Sequence, residues 1–95
     1  MIVLEKDISE SGLDGIKLKC KLGSYNIVLN ISGTAMSKMG MKIDDSMNDK
    51  TNIINNLLWR ELGRLDDNEV LQEIDIDSEK IIFITNLGKK TFINE

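Results

Sequence analysis

The sequence contains no histidine, no proline and a single cysteine, Cys20. Without histidine, the chain has no histidine general base, no histidine-containing triad and no histidine ligand for a metal. One cysteine excludes an internal disulfide bond, which favours a reducing cytoplasm as the location. Cys20 lies among alternating apolar positions with no base beside it, so we interpret it as a buried, unreactive thiol.

Aromatic residues and long apolar runs are also scarce. The chain has one tryptophan, one tyrosine and two phenylalanines, so its core must consist mainly of Ile, Leu, Val and Met. No apolar run approaches the roughly 18 residues of a membrane span. No long apolar region follows a basic N-terminus, as it would in a signal peptide. We therefore expect neither a signal peptide nor contact with a membrane.

Positive charge is the next deficit, since 12 basic residues face 16 acidic ones and the net charge is −4. The whole excess of acid lies in residues 49–95. Nucleic-acid binding needs a basic footprint, which this chain lacks, so we expect no direct nucleic-acid partner. A protein partner with a basic surface is electrostatically easier. The length of 95 residues and the 41% apolar content predict a single globular domain over residues 1–95.

One long segment, Asp49–Leu65, has a helical period. Asp49 is the expected N-cap, because its carboxylate can accept the free N–H groups of the first turn. Gly63 and the polar residues after Leu65 should end the helix. Apolar residues recur at steps of three and four and should share one face. They are Ile53, Ile54, Leu57, Leu58, Leu62 and Leu65.

Alternating apolar residues predict strands before this helix. Residues 1–6 read as an edge strand, and residues 7–15 as a loop. Residues 16–22 and 25–31 predict a hairpin closed by a two-residue turn. The first of these strands has one apolar face and one lysine face, formed by Lys17, Lys19 and Lys21.

Shorter elements follow the hairpin. Ser32 should cap a helical turn over residues 34–39 that Gly40 ends. Met36, Met39, Met41 and Met47 fall close together, and we favour core filling for them over an adaptable groove for a partner.

The region after the main helix is less regular. Residues 69–76 fit both a strand and a helical turn, and we favour a short helix or turn that gives way to a strand near Glu73. Residues 80–85 predict a buried strand, and residues 89–94 a final strand paired with it. The chain therefore predicts an α+β fold. A small antiparallel sheet of about four to five strands, with two hairpins, would pack on one amphipathic helix, with one or two short helical turns.

The first candidate site is the acidic segment 66–79, which contains no lysine or arginine. One interpretation is a docking surface for a basic partner, and another is a cation site on a strand face shared by Asp75, Asp77 and Glu79. The spacing does not match an EF-hand loop, so we expect no metal site. A solvated acidic surface that maintains solubility is the third interpretation. The acids concerned are Asp66, Asp67, Glu69, Glu73, Asp75, Asp77 and Glu79.

Other candidates carry aromatic or positive character. We favour core packing for Trp59 and keep an exposed interface anchor as the alternative. Arg60 and Arg64 are one helical turn apart and could clamp an anion, although Glu61 and the acidic segment lie nearby. The lysines of the predicted hairpin could bind phosphate, but most such stripes simply face solvent and protect an edge.

No catalytic motif stands out, so we expect a non-enzymatic protein without a cofactor. The leading hypothesis is a small interaction module that binds a basic partner through the acidic segment and Trp59, as an inhibitor, immunity-type or accessory protein would. The frequent Asn, Ile and Lys resemble a bacterial or phage coding source. The alternative is a homo-oligomer that binds a small anionic ligand through Arg60, Arg64, Lys17, Lys19 and Lys21. A structural subunit of an assembly is a third hypothesis.

Overall fold

The computed structural model describes residues 1–93, which form an α+β fold of six strands and two helices. Both helices pack on the same face of the sheet, where they meet the buried residues that alternate along the strands. The elements are β1 Ile2–Asp7, β2 Gly15–Leu22, β3 Tyr25–Ser32, α1 Gly33–Met39, α2 Met47–Leu62, β4 Leu71–Ile76, β5 Lys80–Thr85 and β6 Gly88–Ile93.

The strands lie side by side in chain order, with β1 and β6 at the two edges. All neighbours are antiparallel except β3 and β4, which are parallel. The expectation of an antiparallel sheet of four or five strands was therefore wrong in both count and direction. The helices between β3 and β4 carry the chain back across the sheet, and such a crossover brings the next strand in parallel.

The sixth strand arises where the sequence was ambiguous. β4 begins at Leu71, two residues before the predicted change to strand at Glu73. A bulge between Leu71 and Glu73 interrupts its pairing with β5 and turns both Leu71 and Ile74 into the core. Two inward residues three apart imitate helical spacing, which explains the ambiguity.

The N-terminal half agrees with the prediction. β1 is an edge strand, β2 and β3 form the predicted hairpin, and α1 is the predicted short helix. Ser32 caps α1 by accepting the Ala35 N–H at 3.1 Å, and Gly40 ends it in the left-handed conformation at φ 72°. The four clustered methionines are buried or packed against the core, so their role as core filling is confirmed.

The long helix is confirmed, but its ends differ from the prediction. α2 begins at Met47, and its N-cap is Ser46, whose Oγ accepts the Asp49 N–H at 3.1 Å. Asp49 therefore lies in the first turn, where its charge complements the helix dipole. Ile54 and Leu58 are fully buried at the centre of the apolar face. The final strand was predicted to reach Asn94, and that residue lies outside the described range.

Asn55 of α2 ties the helix to the edge strand β1. Its Nδ2 donates to the Ile2 carbonyl, and its Oδ1 accepts the Ile2 N–H, both at 2.8 Å. The side-chain amide thus satisfies two backbone groups that no neighbouring strand pairs. Asn55 also donates to the Thr51 carbonyl at 2.9 Å, which fixes its orientation on the helix.

Replacing Asn55 with alanine is expected to destabilise the fold by about 1–3 kcal/mol, because two partly buried backbone groups lose their partners. Chemical denaturation monitored by circular dichroism measures this loss. The neighbouring Asn56 is exposed and makes a matched control, for which we expect a change within about 0.5 kcal/mol. Equal effects of the two substitutions would show that helix propensity, and not the bond to Ile2, determines the result.

Candidate functional site

The sheet face opposite the helices is not covered by any element of residues 1–93. Strand register places its side chains in rows across the sheet. One row contains Lys6, Lys19, Val28, Glu73, Ile84 and Lys89. The next row contains Lys17, Asn30, Asp75, Ile82 and Thr91. The acids therefore lie at the centre of this open face, and lysines lie towards its sides.

Asn30 organises the two central acids. Its Nδ2 donates to Glu73 Oε2 and to Asp75 Oδ1, both at 2.7 Å. Parallel pairing of β3 with β4 brings Asn30 directly beside Asp75, which makes the double contact geometrically available. Because each carboxylate has about four acceptor sites, both acids keep capacity for a further donor.

A cleft of about 490 Å³ opens at one end of this face, where β2 and β3 lie beside the turn from β4 to β5. Four acids line it against two lysines, and Leu13 and Ile82 contribute apolar surface. The charged lining residues are Glu10, Asp14, Asp75, Asp77, Lys17 and Lys80.

The loop between β1 and β2 forms one wall of this cleft. Ser9 holds the loop to β2 because its Oγ accepts the Lys17 N–H at 2.8 Å. The Ile8 N–H also donates to the Lys17 carbonyl at 2.9 Å. Glu10 and Asp14 are thereby brought to the cleft from a segment that the sequence identified only as a loop.

The acidic segment divides between the two ends of β4. Asp75 and Asp77 line the cleft, and Glu73 lies next to them on the open face. β4 ends at Ile76, and the Asp77 N–H donates to the Lys80 carbonyl at 2.9 Å to close a turn. Asp77 and Glu79 therefore lie in a turn, and not on the strand face that the sequence suggested for them with Asp75.

The other acids of the segment lie between α2 and β4. Asp66 and Asp67 are exposed there, whereas the Glu69 carboxylate pairs with Lys90 of β6 and accepts a hydrogen bond from Thr85 at 3.4 Å. The hydrogen bond from Lys90 lowers the pKa of Glu69, and the same bond raises the pKa of Lys90. Glu69 thus serves to join this connection to the sheet. Within residues 1–93, no three acidic or cysteine side chains are grouped closely enough to hold a metal ion.

Trp59 was expected to pack in the core, and that expectation was wrong. Its side chain is 64% exposed, because it lies outside the buried stripe of α2 defined by Ile54 and Leu58. The Arg60 guanidinium lies over its ring at 5.5 Å from the centroid. Trp59 is therefore available as an interface residue.

The residues proposed for an anion site lie in two separate places. Arg60 and Arg64 line a groove of about 610 Å³ between α2 and β6, and Arg64 lies over the Phe92 ring at 5.9 Å. Lys17, Lys19 and Lys21 lie on β2, on the open face. The structure does not bring these two sets together.

Cys20 is buried on the core face of β2, as the sequence predicted. Burial, with a smaller effect of the nearby Glu5 carboxylate, raises the pKa of its thiol to about 12. A thiol with so high a pKa is almost wholly protonated at neutral pH, so it is a poor nucleophile.

Comparison with known protein families, curated proteins and solved structures finds no match to this chain. No helix in residues 1–93 is long and apolar enough to cross a bilayer. Sequence reasoning identified Asp75 and Asp77 but missed Asn30, Glu10, Asp14 and Lys80. The one available signal for Asn30 was its place on the face of the strand opposite Ile27, Leu29 and Ile31, which it shares with Asn26 and Val28.

Proposed function

We propose that this protein is a non-enzymatic interaction module whose cleft on the open face binds a basic segment of a protein partner. The observation that carries this proposal is the cleft itself, in which acids outnumber lysines by four to two around apolar surface. Its volume of about 490 Å³ lies within the range for sites that hold a small molecule or a few side chains. An inhibitor, an immunity-type protein or an accessory subunit would act in this way.

Arginine is the residue best suited to the cleft. Its guanidinium can make paired hydrogen bonds with Asp75 or Asp77, and its aliphatic stem can pack on Ile82. Asn30 favours such binding because it holds the Asp75 carboxylate before the partner arrives. Lys17 and Lys80 would then favour partners in which an acidic residue flanks the basic one.

The homo-oligomer that binds a small anion has less support. Its two groups of basic residues lie on different parts of the fold. On the open face, the lysines of β2 face uncharged side chains of β3, and acids follow on β4. No described element closes these lysines into an anion pocket.

The double substitution Asp75→Asn and Asp77→Asn is expected to weaken partner binding roughly tenfold or more, since charge-assisted hydrogen bonds become neutral ones. Asparagine keeps the acceptor oxygens that receive the bonds from Asn30 and from the Ser78 N–H, so the fold should be preserved. The immobilised protein is used to capture partners from a lysate of the source cells. Calorimetry with the purified partner then gives the affinity.

Asp66→Asn with Asp67→Asn provides the control, because it makes the same change of net charge at the far end of β4. We expect this variant to bind like the wild type. Equal weakening by both double variants would show that long-range charge, and not contact in the cleft, causes the loss of affinity. Undiminished binding of the partner by the cleft variant would refute the proposed surface.

A further inference from the structure

The two edges of the sheet are protected to different degrees. A bulge between Leu4 and Lys6 interrupts β1, and Asn55 occupies both backbone groups of Ile2. Bulges and blocking side chains are common means of preventing an edge from pairing with another strand. β6 has neither, because its register with β5 is continuous from Gly88 to Ile93. Within the described chain, β6 is thus the open edge.

The backbone of β6 presents free hydrogen-bonding groups on its outer side. The Lys80 carbonyl accepts the Asp77 N–H, so the backbone groups of Lys80 point towards β4. Lys80 and Ile93, which lie opposite each other, are therefore not joined by backbone hydrogen bonds. Along an antiparallel strand pair, hydrogen-bonded residue pairs alternate with pairs that are not hydrogen-bonded. The backbone groups of Ile93, Thr91 and Lys89 therefore point outward from the sheet.

A groove with an excess of positive charge borders this edge. Trp59 and Arg60 of α2, with Arg64 just after its end, line the groove opposite Thr91, Phe92 and Ile93, within a volume of about 610 Å³. Glu61 is the one acid among the lining residues. Its Oε2 is buried and has no hydrogen-bond partner. Both arginines lie over aromatic rings, which restrains their side chains before any partner binds.

We propose that β6 is a docking edge for an extended, acidic segment of another protein, which adds a seventh strand to the sheet. Main-chain hydrogen bonds to Thr91 and Ile93 would provide affinity. Side chains of the segment that face α2 would meet Arg60 and Arg64, so acidic residues at alternate positions fit best. This surface is separate from the acidic cleft, and the proposal does not depend on the function assigned to that cleft.

Charge favours this occupant over a second copy of the chain. Pairing of two β6 strands would bring the arginines of both copies to the same side of the joined sheet, the side on which Lys90 also lies. Like charges placed together across an interface oppose association. Pairing of β6 with a second β1 would have to displace Asn55 from Ile2.

The test is an NMR titration of the ¹⁵N-labelled protein with a short capped peptide of alternating glutamate and valine. We expect chemical-shift changes in β6 and in residues 59–64, at and just after the end of α2. Thr91→Pro removes one outward N–H without touching the ladder to β5, and should weaken binding at least about fivefold. Thr91→Val keeps that N–H and should bind like the wild type.

Charge is tested by Arg60→Glu with Arg64→Glu, which should weaken binding at least about tenfold. A peptide of alternating lysine and valine should bind the wild-type protein no more tightly than the glutamate peptide binds this double variant. The proposal is overturned if the glutamate peptide does not bind at millimolar concentration, if Thr91→Pro and Thr91→Val bind alike, or if the shifts lie elsewhere. Concentration-dependent dimerisation through β6 without peptide would replace the acidic segment with a second copy as the occupant.

Discussion

Replacing Phe83 with alanine is expected to destabilise the fold by about 3–5 kcal/mol. The side chain is fully buried on β5, and its ring makes an edge-to-face contact with Phe92 at a centroid distance of 5.1 Å. The substitution removes apolar contacts and leaves a cavity that the surrounding side chains fill only in part.

Equilibrium unfolding in urea measures this effect, provided that circular dichroism and tryptophan fluorescence give the same transition. A domain of this size has a stability of about 5–15 kcal/mol, so the expected loss is a large fraction of the total. Tyr25→Ala is the matched control, because Tyr25 is 54% exposed and should cost less than about 1 kcal/mol. A loss below 2 kcal/mol for Phe83 would mean that α2 collapses onto the vacated space.

Local pattern was sufficient to predict much of the fold. The β2–β3 hairpin follows from strict alternation around a two-residue turn, and α1 follows from a serine and a glycine at its two ends. Each of these signals lies within a few residues of the element that it specifies. They required no knowledge of distant parts of the chain.

The rest of the fold depends on contacts between distant segments. Whether β4 lies parallel or antiparallel to β3 is determined by how the two helices cross the sheet, which local spacing does not record. The bulge at the start of β4 likewise needs β5 as a partner before it exists. For the same reason, alternation gave the right faces within the β2–β3 hairpin but gave too short a strand at residues 71–76.

The candidate site shows the same limit. The acidic segment was evident from composition, but the sequence did not show that Glu69 would pair with Lys90 while Asp75 and Asp77 would face a cleft. Asn30 is distant from these acids in sequence and becomes their neighbour only through the parallel strand pair. The prediction for Trp59 depended on a helical wheel, on which a residue beside the apolar stripe is equally compatible with burial and exposure.

Replacing Gly15 with alanine is expected to lower the free energy of unfolding by more than about 3 kcal/mol, because the added Cβ would collide with backbone atoms beside the cleft. Gly15 has φ 115°, and a Cβ there would lie 2.0 Å from the Ile31 carbonyl oxygen and 3.0 Å from the Gly33 nitrogen. Both atoms belong to the backbone, so no side-chain rotation can relieve the contact. β2 would have to separate from β3 where Gly15 pairs with Ser32.

Gly12→Ala is the control that separates this contact from backbone preference. Gly12 also has a positive φ, of 84°, but a Cβ there would meet nothing within 4 Å. It should cost only the preference itself, about 1–2 kcal/mol. Urea unfolding compares the two variants, and calorimetry with the captured partner should show that Gly15→Ala also weakens binding, since Ser32 and Lys17 line the cleft. Equal losses of stability would mean that β2 and β3 can separate here without cost, and the wall of the cleft would then be less rigid than its proposed function requires.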